Sequence, residues 1–259
     1  MHDPNTMDLF RLDDRVAVIT GGSKGLGLSM AQGLAHAGAT TVLCSRNEDD
    51  CKAAASLIEK ETGQKSVGHA TDVTDEADVG MLFDRVVEEF GRIDVLVNSA
   101  GINLRHRVEA FPVEAFREVV DTNLTGTWLC CRAVGRVMVD QEHGSVINVG
   151  SALSAVGLVE RTAYCSSKAG ILGLTRTLAL EWAHAGVRCN VLCPGPFLTE
   201  INRPLLSDPD KVQAVVGNTA LNRWAELHEI RGAAVFLASD ASSYVTGSSL
   251  FVDGGWTAQ

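Results

Sequence analysis

Short apolar runs alternate with longer stretches whose apolar residues recur every three to four positions, almost from one end of the chain to the other. The runs RVAVIT (15–20), TTVLC (40–44), SVGHA (66–70), IDVLVN (93–98), SVINVG (145–150), VRCNVL (187–192) and SSLFVD (248–253) predict strands. They are continuously apolar, as strands are when helices cover both faces of their sheet. Between them, helical spacing runs over 25–37, 47–63, 75–90, a long stretch around 113–139, 162–184 and 226–238, with a helical insertion near 200–216. The 47–63 helix has an acidic first turn and a closing Gly63. Such alternation builds a parallel sheet with right-handed crossovers. The pattern therefore predicts an α/β protein: one doubly wound domain over 14–259, its seven-stranded parallel sheet flanked by helices on both faces.

Composition narrows the picture. The 259 residues fit one α/β domain of roughly 250 residues. With 46% hydrophobic and 21% charged residues, the chain can build a well-buried core. A net charge of −10 and no dense Lys/Arg run argue against nucleic acid or an anionic membrane as partner. No segment reaches the ~20 uninterrupted apolar residues of a membrane helix. The start, MHDPNTMDLFRLDD, lacks a basic region and an apolar core, so it does not read as a secretory signal. Residues 1–13 are expected to be a short, partly disordered lead-in, with Met7 an alternative start. The seven cysteines form no CxxC pair and sit mostly in apolar runs, which points to reduced, buried thiols in a cytoplasmic protein. The scattered histidines offer no metal-ligand spacing, so no metal site is expected.

Between the first strand and first helix stands TGGSKGLG (20–27). Glycine permits tight turns and close backbone approach, and a helix N-terminus there suits a pyrophosphate. Gly21, Ser23, Lys24, Gly25, Leu26 and Gly27 are the candidate phosphate loop, with spacing Gly-x3-Gly-x-Gly rather than G-x-G-x-x-G. The end of the second strand should meet the adenosine ribose, where a free 2′-hydroxyl calls for an acid and a 2′-phosphate for a cation. Here Ser45 and Arg46 follow VLC, with Lys24 in the loop as a second cation. The preferred cofactor is NADP(H), with NAD(H) the alternative.

One further stretch carries chemistry. TAYCSSKAG (162–170) places Tyr164 four residues before Lys168, on one face of a helix. The two are either an ordinary solvated pair or a phenol whose pKa is pulled down by a fixed ammonium.

With TGGSKGLG, NSAG (98–101), Ser151 and Tyr164-x-x-x-Lys168 together, the chain resembles the short-chain dehydrogenases/reductases over essentially its whole length. The resemblance extends to Asp72-Val73, Asn123, PGPFLT (194–199) and VTGSSLFVDGG (245–255), and departs from the usual motif at Ser99, where a second Asn is commoner. It implies a Rossmann fold and a catalytic tetrad of Asn123, Ser151, Tyr164 and Lys168. It implies that Asp72 and Val73 flank the adenine, and that Asn98, Ala100 and Gly101 line the cofactor's path. Pro194, Gly195, Phe197 and Thr199 would hold the nicotinamide, with Tyr164 and Lys168 also at the cofactor. Ser154 competes with Ser151 for the serine role. A homotetramer is implied as well, in which the 162–184 helix, rich in small residues, packs between subunits.

A tyrosine acts as acid or base near neutral pH only if its pKa falls from ~10. Lys168, one helical turn away, is expected to supply that shift, and the oxidised nicotinamide adds to it. Ser151 would hydrogen-bond the substrate oxygen. Asn123 would hold a water linking Lys168 to solvent. Three variable segments bound the substrate side: INLRHRV (102–108) with Arg105 and Arg107, ALSAVGLVERT (152–162) with Arg161, and 196–218 with Arg203. Each arginine reads first as a surface cation. Arg105 is also where relatives acting on gluconate-type acids carry one, and a guanidinium fork suits a carboxylate. The expected substrate is thus a carbonyl or secondary alcohol, on a sugar acid or polyhydroxy ketone, contacted by Arg105, Ser151 and Tyr164. A 3-oxoacyl-ACP reductase is the alternative, and a non-catalytic dinucleotide sensor a second.

Overall fold

The structure is a computed structural model that describes residues 5–199 and 206–258. Seven parallel strands, β1 (Val16–Thr20), β2 (Thr40–Ser45), β3 (Ser66–Ala70), β4 (Val95–Asn98), β5 (Gly144–Val149), β6 (Val187–Pro194) and β7 (Ser249–Val252), form one sheet in the order β3-β2-β1-β4-β5-β6-β7. The strand order reverses between β1 and β4, and such a switch point opens a crevice at the carboxyl ends of the strands. In the register there, Thr20 lies opposite Asn98 and Cys44.

Both faces of the sheet are covered, which is why its strands read as unbroken apolar runs. Ala17 and Ile19 of β1, with Val95, Val97 and Ile147, pack under α1 (Gly25–His36), α2 (Glu48–Thr62) and α8 (Arg231–Ala238). Val16, Val18, Leu96 and Val146 face the other way, under α3 (Glu76–Phe90), α5 (Gly126–Asp140) and α6 (Thr162–Trp182). The lead-in is tied to this body: Asp8–Phe10 form a 3-10 turn, and Leu12 is buried with its N–H on the Ala37 carbonyl at 2.7 Å.

The helices start in two ways. The Asn47 side chain caps α2 by accepting from the Asp50 N–H, and Asp75 caps α3 by accepting from Ala77 and Asp78. Both end at a left-handed glycine, Gly63 and Gly91. α1, preceded by Lys24, has no side-chain cap.

The long helix expected around 113–139 is present over residues 113–140, with one widened turn inside it. α4 (Val113–Val120) passes into a π-turn over Asp121–Thr125 before α5 resumes. The wide turn centres on Asn123, whose side chain is drawn into buried hydrogen bonds. In the substrate-side insertion, α7 covers Pro209–Val216, and the expected residue Arg203 lies outside the described residues.

At the amino ends of the strands, Asp94 is the hub of a closed ionic cluster. Its carboxylate accepts from Arg92 at 2.6 and 2.8 Å, from Arg15 at 3.3 Å and from the Val16 N–H at 2.9 Å. His143 joins through Arg15 and is kept neutral by burial and by that guanidinium.

Candidate active site

The glycine loop lies against the switch point. Thr20 Oγ1 accepts from the Ser99 and Ala100 N–H groups, both at 3.1 Å, fastening the end of β1 to that of β4. Gly21 sits at φ +64, and a Cβ there would press on the Ala100 backbone at 2.9 Å. A Cβ at Gly27 would collide with the Gly21 carbonyl, whereas Gly25, also left-handed, faces open space. The loop therefore presents an uncapped helix start to an open approach, a fit for an anionic phosphate group. Ser23 is half-buried in that turn and Leu26 opens the helix.

At the end of β2, Arg46 is exposed, as is Lys24, and neither has an ion-pair partner among the described residues. No carboxylate occupies that position. The Ser45 hydroxyl is engaged with Cys51 Sγ at 3.0 Å and the Asn47 carbonyl at 3.3 Å. Asp72 accepts from the Thr74 N–H and hydroxyl, which holds its carboxyl below the usual range, and Val73 packs on Gly126.

Two of the residues expected along the cofactor's path turn their side chains away from the cleft. Asn98 donates to Asn148 Oδ1 at 2.8 Å within a buried network that continues to Thr175. Strand alternation sends its side chain under the sheet. Phe197 is buried in the core beside α1 and α8. Gly195 is pressed against the Asp253 backbone, closing the loop after β6 on the end of β7 next to Pro194, while Thr199 is half-exposed.

The four residues expected to carry the chemistry come from three elements and meet. Ser151, just past β5, heads a 3-10 turn in which its Oγ accepts from the Leu153 N–H. Ser154 is accounted for: its Oγ accepts from the Ser151 N–H and donates to the Lys168 carbonyl, bracing the turn to α6. Lys168, 4% exposed, donates from Nζ to the Val149 carbonyl at 2.7 Å and lies 5.7 Å from the centre of the Tyr164 ring. Asn123 is buried, its Oδ1 accepting from the Ile102 N–H and its Nδ2 donating to the Ile102 carbonyl and to Ser167 Oγ. A point one Cβ length out from Gly101 is 3.1 Å from Asn123 Oδ1 and 3.6 Å from Lys168 Nζ, so both atoms border the same space.

Electrostatics correct one expectation. Burial raises the Tyr164 pKa, opposed by a hydrogen bond with Ser151 and by the Arg161 charge. Lys168 is not among the groups that shift it, and burial brings that ammonium from its ordinary 10.5 down to about 8. The protein's own residues thus leave the phenol protonated. The Asn123 expectation is sharpened too: both side-chain donors are committed to protein, so it first clamps the 101–102 loop to α6.

A family profile of short-chain dehydrogenases, described as "Enoyl-(Acyl carrier protein) reductase", matches residues 21–257. The chain belongs to the short-chain dehydrogenase/reductase family. It is 38% identical over 248 residues to a D-threitol dehydrogenase of Mycolicibacterium smegmatis, covering 96% of this chain and 95% of that one. It is 36% identical over 250 residues to a gluconate 5-dehydrogenase of Gluconobacter oxydans, covering 96% and 97%. The crystal structure of a gluconate 5-dehydrogenase from Burkholderia cenocepacia, in complex with NADP and tartrate, superposes with a TM-score of 0.94 at 38% identity, covering 98% of this chain and all of that one. Like its relatives, this short-chain dehydrogenase/reductase is an oxidoreductase acting on CH–OH groups.

Three residues of the enzyme's site escaped the sequence reading. Thr20 ties the glycine loop to β4, and Ser167 holds Asn123. Arg161, read as a surface cation, is buried. Its position three residues before Tyr164, at the start of α6, was the available signal.

Proposed function

We propose that this enzyme uses NADP(H) to interconvert a secondary alcohol and a ketone on a sugar acid or related polyhydroxy compound. What carries the reading is the meeting of Ser151, Tyr164 and Lys168 beside an uncapped glycine loop. Lys24 and Arg46, two cations without an ion-pair partner among the described residues, would hold the 2′-phosphate. Gly21, Ser23, Gly25, Leu26 and Gly27 would hold the pyrophosphate, with Val73, Ala100 and Gly101 along the path and Pro194, Gly195 and Thr199 near the nicotinamide. The names of the relatives, threitol and gluconate dehydrogenases, support the substrate class.

When bound, the cofactor supplies or accepts the hydride. Ser151 would hydrogen-bond the substrate oxygen as charge develops on it. In reduction Tyr164 donates its proton to that oxygen, and in oxidation it removes one. Having its proton in place suits the reductive direction directly. Lys168 keeps two N–H donors beyond the one on Val149, available to the cofactor and to a water shared with Asn123 Oδ1. That water would return the proton from solvent. Positive charge on the oxidised cofactor would add to that of Arg161 in favouring the phenolate.

The reading extends to a homotetramer in the cytoplasm. Exposed Trp128 on α5 and Leu180 on α6 provide apolar contact area, and all seven cysteines are unpaired thiols.

A panel of gluconate, 5-ketogluconate, threitol and an acetoacetyl thioester, assayed with NADPH and NADH couples, tests the proposal. The expected result is highest kcat/KM on a sugar acid or polyol, with the KM for NADH more than tenfold above that for NADPH. A ratio of about four or less would remove the 2′-phosphate assignment, and a preference for the thioester would favour the acyl-reductase alternative. Tyr164→Phe should lower kcat by about 10²–10⁴-fold. Near-wild-type turnover in that variant would overturn the mechanism.

A further inference from the structure

The arginines on the substrate side differ in what their guanidinium groups meet. Arg107 is exposed and paired with Glu109 at 2.9 Å. Arg105 is exposed and has no ion-pair partner among the described residues. Arg161 is only 8% exposed, yet its one hydrogen bond runs from Nη1 to the carbonyl oxygen of neighbouring Glu160 at 3.3 Å. No carboxylate pairs with it among the described residues. A guanidinium has five N–H donors, so most of its hydrogen-bonding capacity is unanswered in a place poorly served by water.

Burying a charge without a partner is among the more destabilising arrangements a chain can adopt. Arg188 shows how this protein satisfies a cation it encloses for structure: its donors reach the carbonyls of Leu237, Ser239 and Val245. Nothing comparable surrounds Arg161. The backbone that delivers it is also strained, since Glu160, a non-glycine residue, is held at φ +62 immediately before α6 begins. Arg161 then stands at the N-cap of α6, three residues ahead of Tyr164. Its charge reaches the phenol, and Arg161 in turn feels the charge of Arg105 and, in the opposite sense, that of the neighbouring Glu160 carboxylate, which forms no ion pair with it.

We propose that Arg161 is the buried half of a carboxylate clamp in the substrate cleft, with Arg105 its exposed half, and that it selects acidic sugar substrates over neutral polyols. This rests on the reading of Tyr164 as the acid/base, because the clamp is defined by its place beside that residue. A carboxylate brought in by the substrate supplies what the fold withholds: a planar anion that can take two parallel N–H bonds from the fork. Arg105 is close enough for its charge to act on Arg161, and an anion entering between the two guanidinium groups is attracted by both. A neutral polyol offers only hydroxyls and leaves the buried charge uncompensated.

The test is equilibrium titration of D-gluconate and of threitol into the NADP⁺-loaded enzyme, for wild type, Arg161→Met, Arg161→Lys and Arg105→Ala, with Tm measured for each. Arg161→Met should lose affinity for gluconate at least tenfold more than affinity for threitol, and Arg161→Lys should recover part of it. Arg105→Ala should show the same bias, but smaller. The Tm of Arg161→Met should equal or exceed that of wild type, since an unpaired buried charge is removed. Equal losses for the two ligands, no loss for gluconate, or no gluconate binding by wild type would each overturn the clamp. So would a fall in Tm that Lys restores without restoring the bias. If Arg161→Met does not fold, the bias in Arg161→Lys decides. Failure of the acid/base reading has a separate signature, full turnover in Tyr164→Phe, and the binding bias is measured whether or not that occurs.

Discussion

Asp94 and Lys168 are both buried charged side chains, and they lie at opposite ends of the same parallel sheet. Asp94, ahead of β4, is surrounded by donors from Arg15, Arg92 and the Val16 backbone, so its charge is closed within the fold. Lys168, over the carboxyl end of β5, has a single carbonyl partner and a pKa brought down to about 8. The helix starts at the carboxyl ends show a finer division, since α1, α2 and α3 each follow a strand there. α2 and α3 are capped by Asn47 and Asp75, while α1, which opens toward the cleft, is left uncapped. Arg161 without a carboxylate and the left-handed Glu160 belong to the open end too. The amino ends hold the domain together, and the carboxyl ends keep capacity for molecules that are not part of the chain.

That contrast makes opposite demands on substitution at the two ends. Asp94→Ala leaves Arg92 and the Val16 N–H without their acceptor, and Arg15 with only Asp240 and His143. Breaking a fully buried pair costs about 3–5 kcal/mol, and because both arginines reach solvent the loss here should be about 3 kcal/mol. Urea denaturation measures it, and kcat at a temperature where the variant is folded should stay within about threefold of wild type. A loss below about 1 kcal/mol would place Asp94 among weak surface pairs and dissolve the contrast.

Lys168→Met should do the reverse, lowering turnover while strengthening the fold. A folded-state pKa near 8 against an ordinary 10.5 means the unfolded chain holds this proton more firmly. The ammonium therefore destabilises the native state fully below pH 8, by up to roughly 3 kcal/mol, and this penalty fades as pH rises through 8 to 10.5. The Met variant should be roughly 1–3 kcal/mol more stable than wild type at pH 7, with the gap closing toward pH 10. Parallel denaturation curves at pH 7 and 9.5 measure both. A variant less stable than wild type at both pH values would show that the bond to Val149 outweighs burial.

The same division explains what could be read from sequence. The seven strands and their covering helices were legible because burial on both faces leaves unbroken apolar runs, as in β1 and β5. The Tyr164–Lys168 pair and the glycine loop were legible because they depend on local spacing. The side-chain direction of Asn98 was not, since a one-residue change of phase along a strand decides whether it faces the cleft or the core. The π-turn at Asn123 was hidden because apolar periodicity scarcely registers one widened turn. The sign of the Tyr164 shift and the burial of Arg161 depend on segments distant in sequence, such as the 151–154 turn. An arginine's type says nothing about whether a carboxylate will be near it.

Arg107 is where the distinction between closed and open charge should have its smallest effect. It stands two residues from Arg105 and carries the same charge as Arg161, but it is exposed and already paired with Glu109. Exposed pairs contribute about 0–1 kcal/mol, because water screens the attraction and ordering two long side chains opposes it. Arg107→Ala should therefore change stability by less than about 0.5 kcal/mol and the KM for gluconate by less than about threefold. The KM should also respond little to added salt beyond the wild-type dependence, since no desolvated charge has been removed. If the KM for gluconate instead rose as far as in Arg161→Met, long-range positive charge rather than an unanswered buried fork would be selecting the substrate. Burial and pairing would then no longer separate the working arginines of this cleft from the solvated ones.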